Sequence, residues 1–409
     1  MALFFAPNPM DLGMDASARD LPSIPLTIGA VLDITGVVPS LRALREHIAA
    51  CLPRLPVLTD HLAGPRLRAR WVRDPLPSLE MRVRERVLEP GGLDAALAEL
   101  IALPVPEQGP PWDLWLLHGH AVGTYTLCYR AAHTTHDGVG VRNTLYALFG
   151  GAMPDAPHPA RATLASYARV LRVQLGSLAR ADVWNDPATP LTGERMRGWA
   201  HVPTERLREV ATVAGGSSND ASLACLAYAL REWAAEHWPR GRDKQLSTVV
   251  MVDGRRSEEW NRPGNLFAFA PIALPCHLPN FDEQLAAVVA ATRSVKQPPM
   301  RRALRTLMER TPVRSYYAAA QKLTTPERAT VDTSHVAFHQ PLRHGDAPVT
   351  SVRMFTWLPL HHPLSLISCS YAGVTRVHFV TDAALPGLAD LPQRWKAALE
   401  AAAAEGLRT

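Results

Sequence analysis

Residues 133–138 read His-Thr-Thr-His-Asp-Gly. Such a string can do acid–base chemistry: a neutral imidazole accepts a proton from an attacking hydroxyl or amine near neutral pH, and a glycine lets backbone N–H groups approach a developing oxyanion. His133 is the candidate base and Gly138 the candidate oxyanion position. The plainer readings are a hydrogen-bonded structural histidine and a turn glycine. His136 is read as an exposed loop residue, with a second polar wall of a substrate pocket as the alternative. A metal centre on His133 and His136 would need further ligands, and neither a His-Glu-x-x-His helix nor a cysteine pair supplies them. A hydrolase would need a nucleophile, and the chain has no Gly-x-Ser-x-Gly elbow.

To act, this string needs a strand before it and a helix after it. Residues 124–130 are β-prone through Tyr125, Leu127 and Tyr129, and Val141, Leu145 and Leu148 then recur at helical spacing. Residues 112–118 make a second strand, joined to the first through Gly119 and Gly123. Further upstream, residues 1–24 are punctuated by proline and are expected to wrap the surface, 26–35 to form a strand, and 39–52 a helix with Leu41, Leu44, Ile48 and Leu52 on one face. Stretches 66–72 and 79–87 are β-prone, and 93–103 reads as a helix.

After a proline-rich connector at 153–159 and a helical stretch at 162–183, the turn-rich segment 185–193 marks a boundary between halves. The second half opens with a strand at 196–202 and helices at 204–214 and 221–238, with Asn219 and Asp220 read as a helix cap. Strands are expected at 246–252, 266–274, 331–338, 352–358, 364–371 and 375–380, and helices at 281–295, 301–321 and 391–403. Strands and helices are mixed in each half, which predicts two α/β sandwiches with a cleft between them.

Composition narrows the function classes. The chain has 409 residues, enough for two domains, and its 47% hydrophobic and 20% charged residues are those of an ordinary globular protein. The net charge of +5 is spread along the sequence, so a nucleic-acid footprint is not expected, while an anionic substrate or an acidic partner is compatible. Five widely spaced cysteines in apolar runs read as reduced core residues. The N-terminus lacks the pattern of a secretory signal and no apolar run is long enough to span a bilayer, giving a cytoplasmic expectation.

The order of features resembles the wax ester synthase/diacylglycerol acyltransferase family, within the superfamily of condensation domains and chloramphenicol-acetyltransferase-like enzymes. The HHxxxDG motif of that family is matched by Ala132-His133-Thr134-Thr135-His136-Asp137-Gly138, and its PLWE-like element by Pro110-Pro111-Trp112-Asp113. Further matches are Asn219-Asp220 before an apolar helix, a strand leading to Arg255 and then Gly264-Asn265, and Ser370-Tyr371-Ala372-Gly373 followed by Asp382. Two positions differ: Ala132 replaces the first histidine, and no Val-Pro-Gly turn precedes the last strands, where His335-Val336-Ala337-Phe338-His339 stands instead.

The resemblance implies an α/β fold of two chloramphenicol-acetyltransferase-like sandwich lobes, 1–185 and 186–409, with an active-site tunnel between them. It implies an acyltransferase in specialised-metabolite or lipid biosynthesis, with His133 as base, no metal or prosthetic group, and acyl-CoA or a phosphopantetheinyl acyl carrier as co-substrate. The acceptor would be a small hydroxyl or amine compound. Asp137 would turn from the base and pair with Arg255 to hold the loop. Asn265 would fix the floor of the cleft and, with His136 and Ser370, could line the substrate pocket; Ser370 resembles a position whose hydroxyl touches the transfer intermediate. The His335–His339 and His361–His362 pairs are read as loop or pocket-lining residues. The alternatives are an amide synthase acting on carrier-bound substrates and a docking module of the same fold that has lost the reaction.

Overall fold

The computed structural model describes residues 6–150, 161–176, 189–323, 325, 328, 331–359 and 362–406. Its strands, in chain order, are β1 (Thr27–Thr35), β2 (Asp60–Ala63), β3 (Arg70–Arg73), β4 (Val83–Val87), β5 (Trp112–His118), β6 (Thr124–Ala132), β7 (Arg195–Pro203), β8 (Leu246–Asp253), β9 (Phe267–Leu274), β10 (Val331–Ala337), β11 (Arg343–His344), β12 (Ala347–Phe355), β13 (Leu364–Tyr371) and β14 (Val374–Asp382). Apart from the β2–β3 ribbon they form two six-stranded sheets, ordered β11-β12-β1-β6-β5-β4 and β7-β14-β13-β10-β8-β9. The mixed α/β architecture in two lobes is the one expected.

The lobes do not follow chain order throughout. Residues 343–355 leave the second half and complete the first sheet, with Gly29 opposite Phe355 and Leu32 opposite Val352. Tyr371 ties this crossing segment down: its hydroxyl accepts from the Leu342 N–H at 3.0 Å and donates to the Val349 carbonyl at 2.9 Å. Val336, Ile367, Cys369 and Tyr371 of the second half pack into the same apolar cluster as Leu32, Leu127 and Leu145 of the first. Burial here, at about 25 cal/mol per Å² of apolar surface, holds the lobes together along this seam, while the second lobe keeps a separate core around Leu226, Trp233, Phe379 and Trp395. The boundary expected at 185–186 and the connector at 153–159 lie outside the described residues.

In the first sheet β1 pairs with β6 from Thr27↔Ala132 to Thr35↔Thr124, and β6 with β5 from Trp112↔Ala131 to His118↔Tyr125. The proline–tryptophan element serves this register. Trp112 donates its indole N–H to the Leu58 carbonyl at 2.8 Å, and Asp113 forms a buried ion pair with Arg130, whose Nε lies 2.8 Å from the carboxylate. Removing one partner of such a pair leaves a buried charge and costs about 3–5 kcal/mol.

Three local expectations change. Residues 79–82 form a short helix before β4, in place of the start of the β-prone stretch 79–87. Residues 9–20 form a helix (Pro9–Asp20) in place of a surface wrap, because Asn8 accepts from the Asp11 N–H and Asp11 accepts from the Asn8 N–H in a capping box, with proline in the first turn where no N–H is missed. Residues 301–321 are two helices, Pro298–Arg310 and Val313–Leu323, parted at Thr311-Pro312. All five cysteines are buried and unpaired. Among the described residues no helix is long and apolar enough to cross a membrane.

Candidate active site

The register of β1, β5 and β6 delivers His133 one residue beyond the last rung of β6, and its N–H donates to the Leu26 carbonyl at 2.7 Å. From there the half-buried imidazole lines a cavity of about 750 Å³ whose walls come from both lobes. Phe267 and Trp357 meet the ring edge-on, at centroid distances of 6.1 and 6.4 Å. Burial holds the His133 pKa below the ordinary 6.5, against the opposite pull of Asp137 and of the Asn265 hydrogen bond. The ring is therefore neutral, the form a base requires.

Asn265 decides which nitrogen is free. Its Nδ2 donates to the His133 carbonyl at 2.7 Å, which directs its Oδ1 toward His133 Nδ1, 2.9 Å away. An amide oxygen can only accept, so Nδ1 carries the proton and Nε2 carries the lone pair. This fully buried residue stands behind His133 and does not line the cavity. Its role is to orient His133, not to touch substrate as a pocket residue.

A carboxylate outside every sequence motif holds Asn265 in turn. Asp11, on the first helix, accepts from the Asn265 N–H at 2.6 Å, and Asn8 Nδ2 donates to the Asn265 carbonyl at 2.9 Å. Burial raises the Asp11 pKa to about 7, although the N–H groups of Asn265 and Asn8 lower it. Gly264 is required beside it: φ is +102°, and a Cβ there would lie 2.5 Å from Asp11 Oδ1.

Asp137 caps the helix Gly138–Phe149, accepting from the Gly140 N–H at 2.7 Å and the Leu266 N–H at 2.8 Å. Arg255 approaches its Oδ1 at 2.7 Å. Burial pushes the Asp137 pKa up, yet Arg255 and these N–H donors outweigh it and hold the carboxyl below its ordinary range. The carboxylate thus stitches the loop of the first lobe to the second and does not contact the His133 ring. Gly138 lines the cavity, and a Cβ on it would meet Val336 Cγ2 at 3.0 Å. Its N–H and that of Val139, the first two of the helix, have no intrahelical acceptor.

The structure corrects the two remaining pocket expectations. His136 is neither exposed nor pocket-lining: it is fully buried, with Nε2 2.7 Å from the Tyr129 hydroxyl and Nδ1 3.0 Å from Thr135 Oγ1. Burial lowers its pKa to about 3, so it is a neutral packing residue. Ser370 is bonded to Thr375 Oγ1 at 2.8 Å and lies outside the cavity wall. The wall is made instead by Asp332, Thr333, Ser334, His335, Ser365 and His362, of which only the histidines drew notice in the sequence. Asn219 lines the cavity, while Asp220 is in a capping box with Ser217 and pairs with Lys296. His361 lies outside the described residues. Among the described residues no group of three or more His, Cys, Asp or Glu is arranged to hold a metal ion.

Residues 17–185 match the model of the wax ester synthase/diacylglycerol acyltransferase catalytic domain. The resemblance is borne out: the chain is wax ester synthase/diacylglycerol acyltransferase-like. It is 26% identical over 271 residues to a candidate diacylglycerol O-acyltransferase of Mycobacterium tuberculosis, a match covering 56% of this chain and 57% of that protein's length. A probable diacylglycerol O-acyltransferase of the same organism is 25% identical over 327 residues, 70% of each chain. In fold the chain is similar to the wax ester synthase/diacylglycerol acyltransferase from Marinobacter aquaeolei VT8, with a TM-score of 0.63 at 18% identity over 94% of this chain and 95% of that one. It is likewise similar to the first condensation domain of the calcium-dependent antibiotic synthetase, with a TM-score of 0.67 at 14% identity over 99% and 97%.

Proposed function

We propose that the protein moves an acyl group from a thioester, on coenzyme A or a phosphopantetheinyl carrier protein, to a hydroxyl or amine acceptor in lipid or specialised-metabolite biosynthesis. The observation that carries this reading is the Nδ1–Asn265 contact of 2.9 Å, which leaves His133 Nε2 as the acceptor in a cavity shared by both lobes. As the acceptor oxygen or nitrogen attacks the thioester carbonyl, Nε2 takes its proton. The tetrahedral oxyanion is met by the free N–H groups at the start of the helix Gly138–Phe149, which are fixed before the reaction begins. Collapse breaks the carbon–sulfur bond, and the imidazolium returns its proton to the departing thiolate. The new ester or amide and the free thiol balance the two reactants. The match to the catalytic-domain model and the likeness to a starter condensation domain of rhizomide synthetase, solved with C8-CoA and Leu-SNAC, support a thioester donor.

The test is thiol release from octanoyl-CoA and from an octanoyl pantetheine thioester by the wild-type protein, with and without a panel of alcohols and amines. Release that depends on acceptor, with one ester or amide formed per thiol, is expected. Release without acceptor, or none with any donor, would contradict the reading.

A further inference from the structure

The cavity passes through the second sheet. β8 and β10 run parallel and pair at Val331↔Thr248, Asp332↔Val249 and Thr333↔Val250, with no paired positions beyond. Successive side chains on a strand point to opposite faces. Nevertheless Ser334, His335, Val336 and Ala337 on β10 all line the cavity, as do Met251, Val252 and Asp253 on β8. The two strands therefore stand apart and the space runs between them. On one side it reaches Gly138, whose added Cβ would be 3.8 Å from Ser334 Oγ; on the other it reaches Asn219 and Lys296.

His335 stands in this gap with Nδ1 2.7 Å from Ser368 Oγ. With the Ser368 hydroxyl donating to the Ser334 carbonyl, 3.3 Å away, its oxygen accepts from Nδ1. Nε2 then bears the lone pair. Burial, with His339 nearby, lowers the pKa of this ring to about 4 and keeps it neutral. A neutral acceptor with no donor on it among the described residues, on a wall already rich in hydroxyls from Thr333, Ser334 and Ser365, selects for a hydrogen-bond donor in the ligand.

We propose that His335 is a specificity-determining residue whose Nε2 accepts a hydrogen bond from a substrate hydroxyl or amino group other than the one acylated, so that the protein favours a substrate with a second polar group over a plain aliphatic one. The inference rests on the acyl-transfer reading. The second group can belong to the acyl chain or to the acceptor, and the experiment separates these sources.

Two matched pairs are compared as kcat/KM ratios in wild type, His335→Phe and His335→Gln: 3-hydroxydecanoyl-CoA against decanoyl-CoA, and 1,2-decanediol against 1-decanol. Wild type is expected to favour the hydroxylated member of one pair by about fivefold to tenfold, the scale of one net hydrogen bond. His335→Phe should bring that ratio near one, and His335→Gln, which keeps an acceptor oxygen, should keep part of it. Ratios near one in both pairs for wild type, or a preference unchanged in His335→Phe, would overturn the proposal. If His335→Phe does not fold, Ser368→Ala replaces it; freeing the tautomer should weaken the preference, and an unchanged preference overturns the proposal. Absence of thiol release in wild type would sink acyl transfer instead. Titration calorimetry with the same four compounds then reads His335 by itself, with equal binding of both members of each pair as the contrary result.

Discussion

In the first sheet β1 is paired along its whole length with β6 and, on its other side, with a strand from the distant second half. In the second sheet β8 and β10 share three rungs and then separate around the cavity. Both sheets have six strands, yet one acts as a closed support that sets the depth of His133, while the other parts around the cavity. A base must be held within a fraction of an ångström, which favours a fully hydrogen-bonded support. The lining opposite it must expose side chains from two faces, which an unbroken sheet cannot do.

The largest effect should come from cutting the stitch between the two regions. Asp137→Ala leaves buried Arg255 with the longer 3.7 Å contact to Asp253 in place of the 2.7 Å pair and removes the helix cap, so unfolding in denaturant should show a loss of about 3 kcal/mol. A midpoint and slope equal to wild type would mean that the lobes are held without it.

Next comes the brace behind the base. Asn265→Ala frees the ring, and kcat/KM should fall about a hundredfold with the fold retained by circular dichroism. Asn265→Asp is more informative, because a carboxylate at Nδ1 favours the charged imidazole. Wild-type kcat/KM should stay high as pH falls through 6.5, since burial lowers the His133 pKa, and the acid limb should move upward in Asn265→Asp. An unmoved limb would assign Asn265 to folding alone.

His136 and Ser370 test the contrast at its weakest points. His136→Phe removes the hydrogen bond to the Tyr129 hydroxyl, which keeps Thr144 as a partner, and should cost about 1 kcal/mol. Its depressed folded pKa also has a sign: the unfolded chain binds the proton first, so this stabilisation is complete above pH 6.5 and is lost as pH falls toward about 3. Thermal melts from pH 7.5 to 4.5 should therefore show less acid loss in the variant than in wild type. Ser370→Ala breaks one hydrogen bond worth about 1 kcal/mol and should leave acyl transfer unchanged, since Ser370 lies off the cavity wall. A kinetic defect in Ser370→Ala would return that residue to the site.

What could be read in the sequence was local or motif-borne. The strand, loop and helix around His133 follow from alternation and 3.6-residue spacing, and the Asp137–Arg255 pair follows from the family resemblance. The helix Pro9–Asp20 was also legible, since Asn8, Pro9 and Asp11 are a capping sequence, but the prolines around it read as breaks. His136 looked exposed because its partner, Tyr129, faces it only once β6 has turned into the loop. Asn265, Asp11 and His335 acquire their roles from contacts made far along the chain, and the parting of β8 from β10 is a property of parallel pairing that no single strand encodes. Local pattern thus predicts where the base stands, and tertiary packing decides what orients it and what faces it.

The most direct measurement is acceptor-dependent thiol release by His133→Ala beside wild type, with matched melting curves. The account predicts a fall of about 10²–10⁴-fold in kcat/KM without loss of fold. Turnover equal to wild type would contradict it.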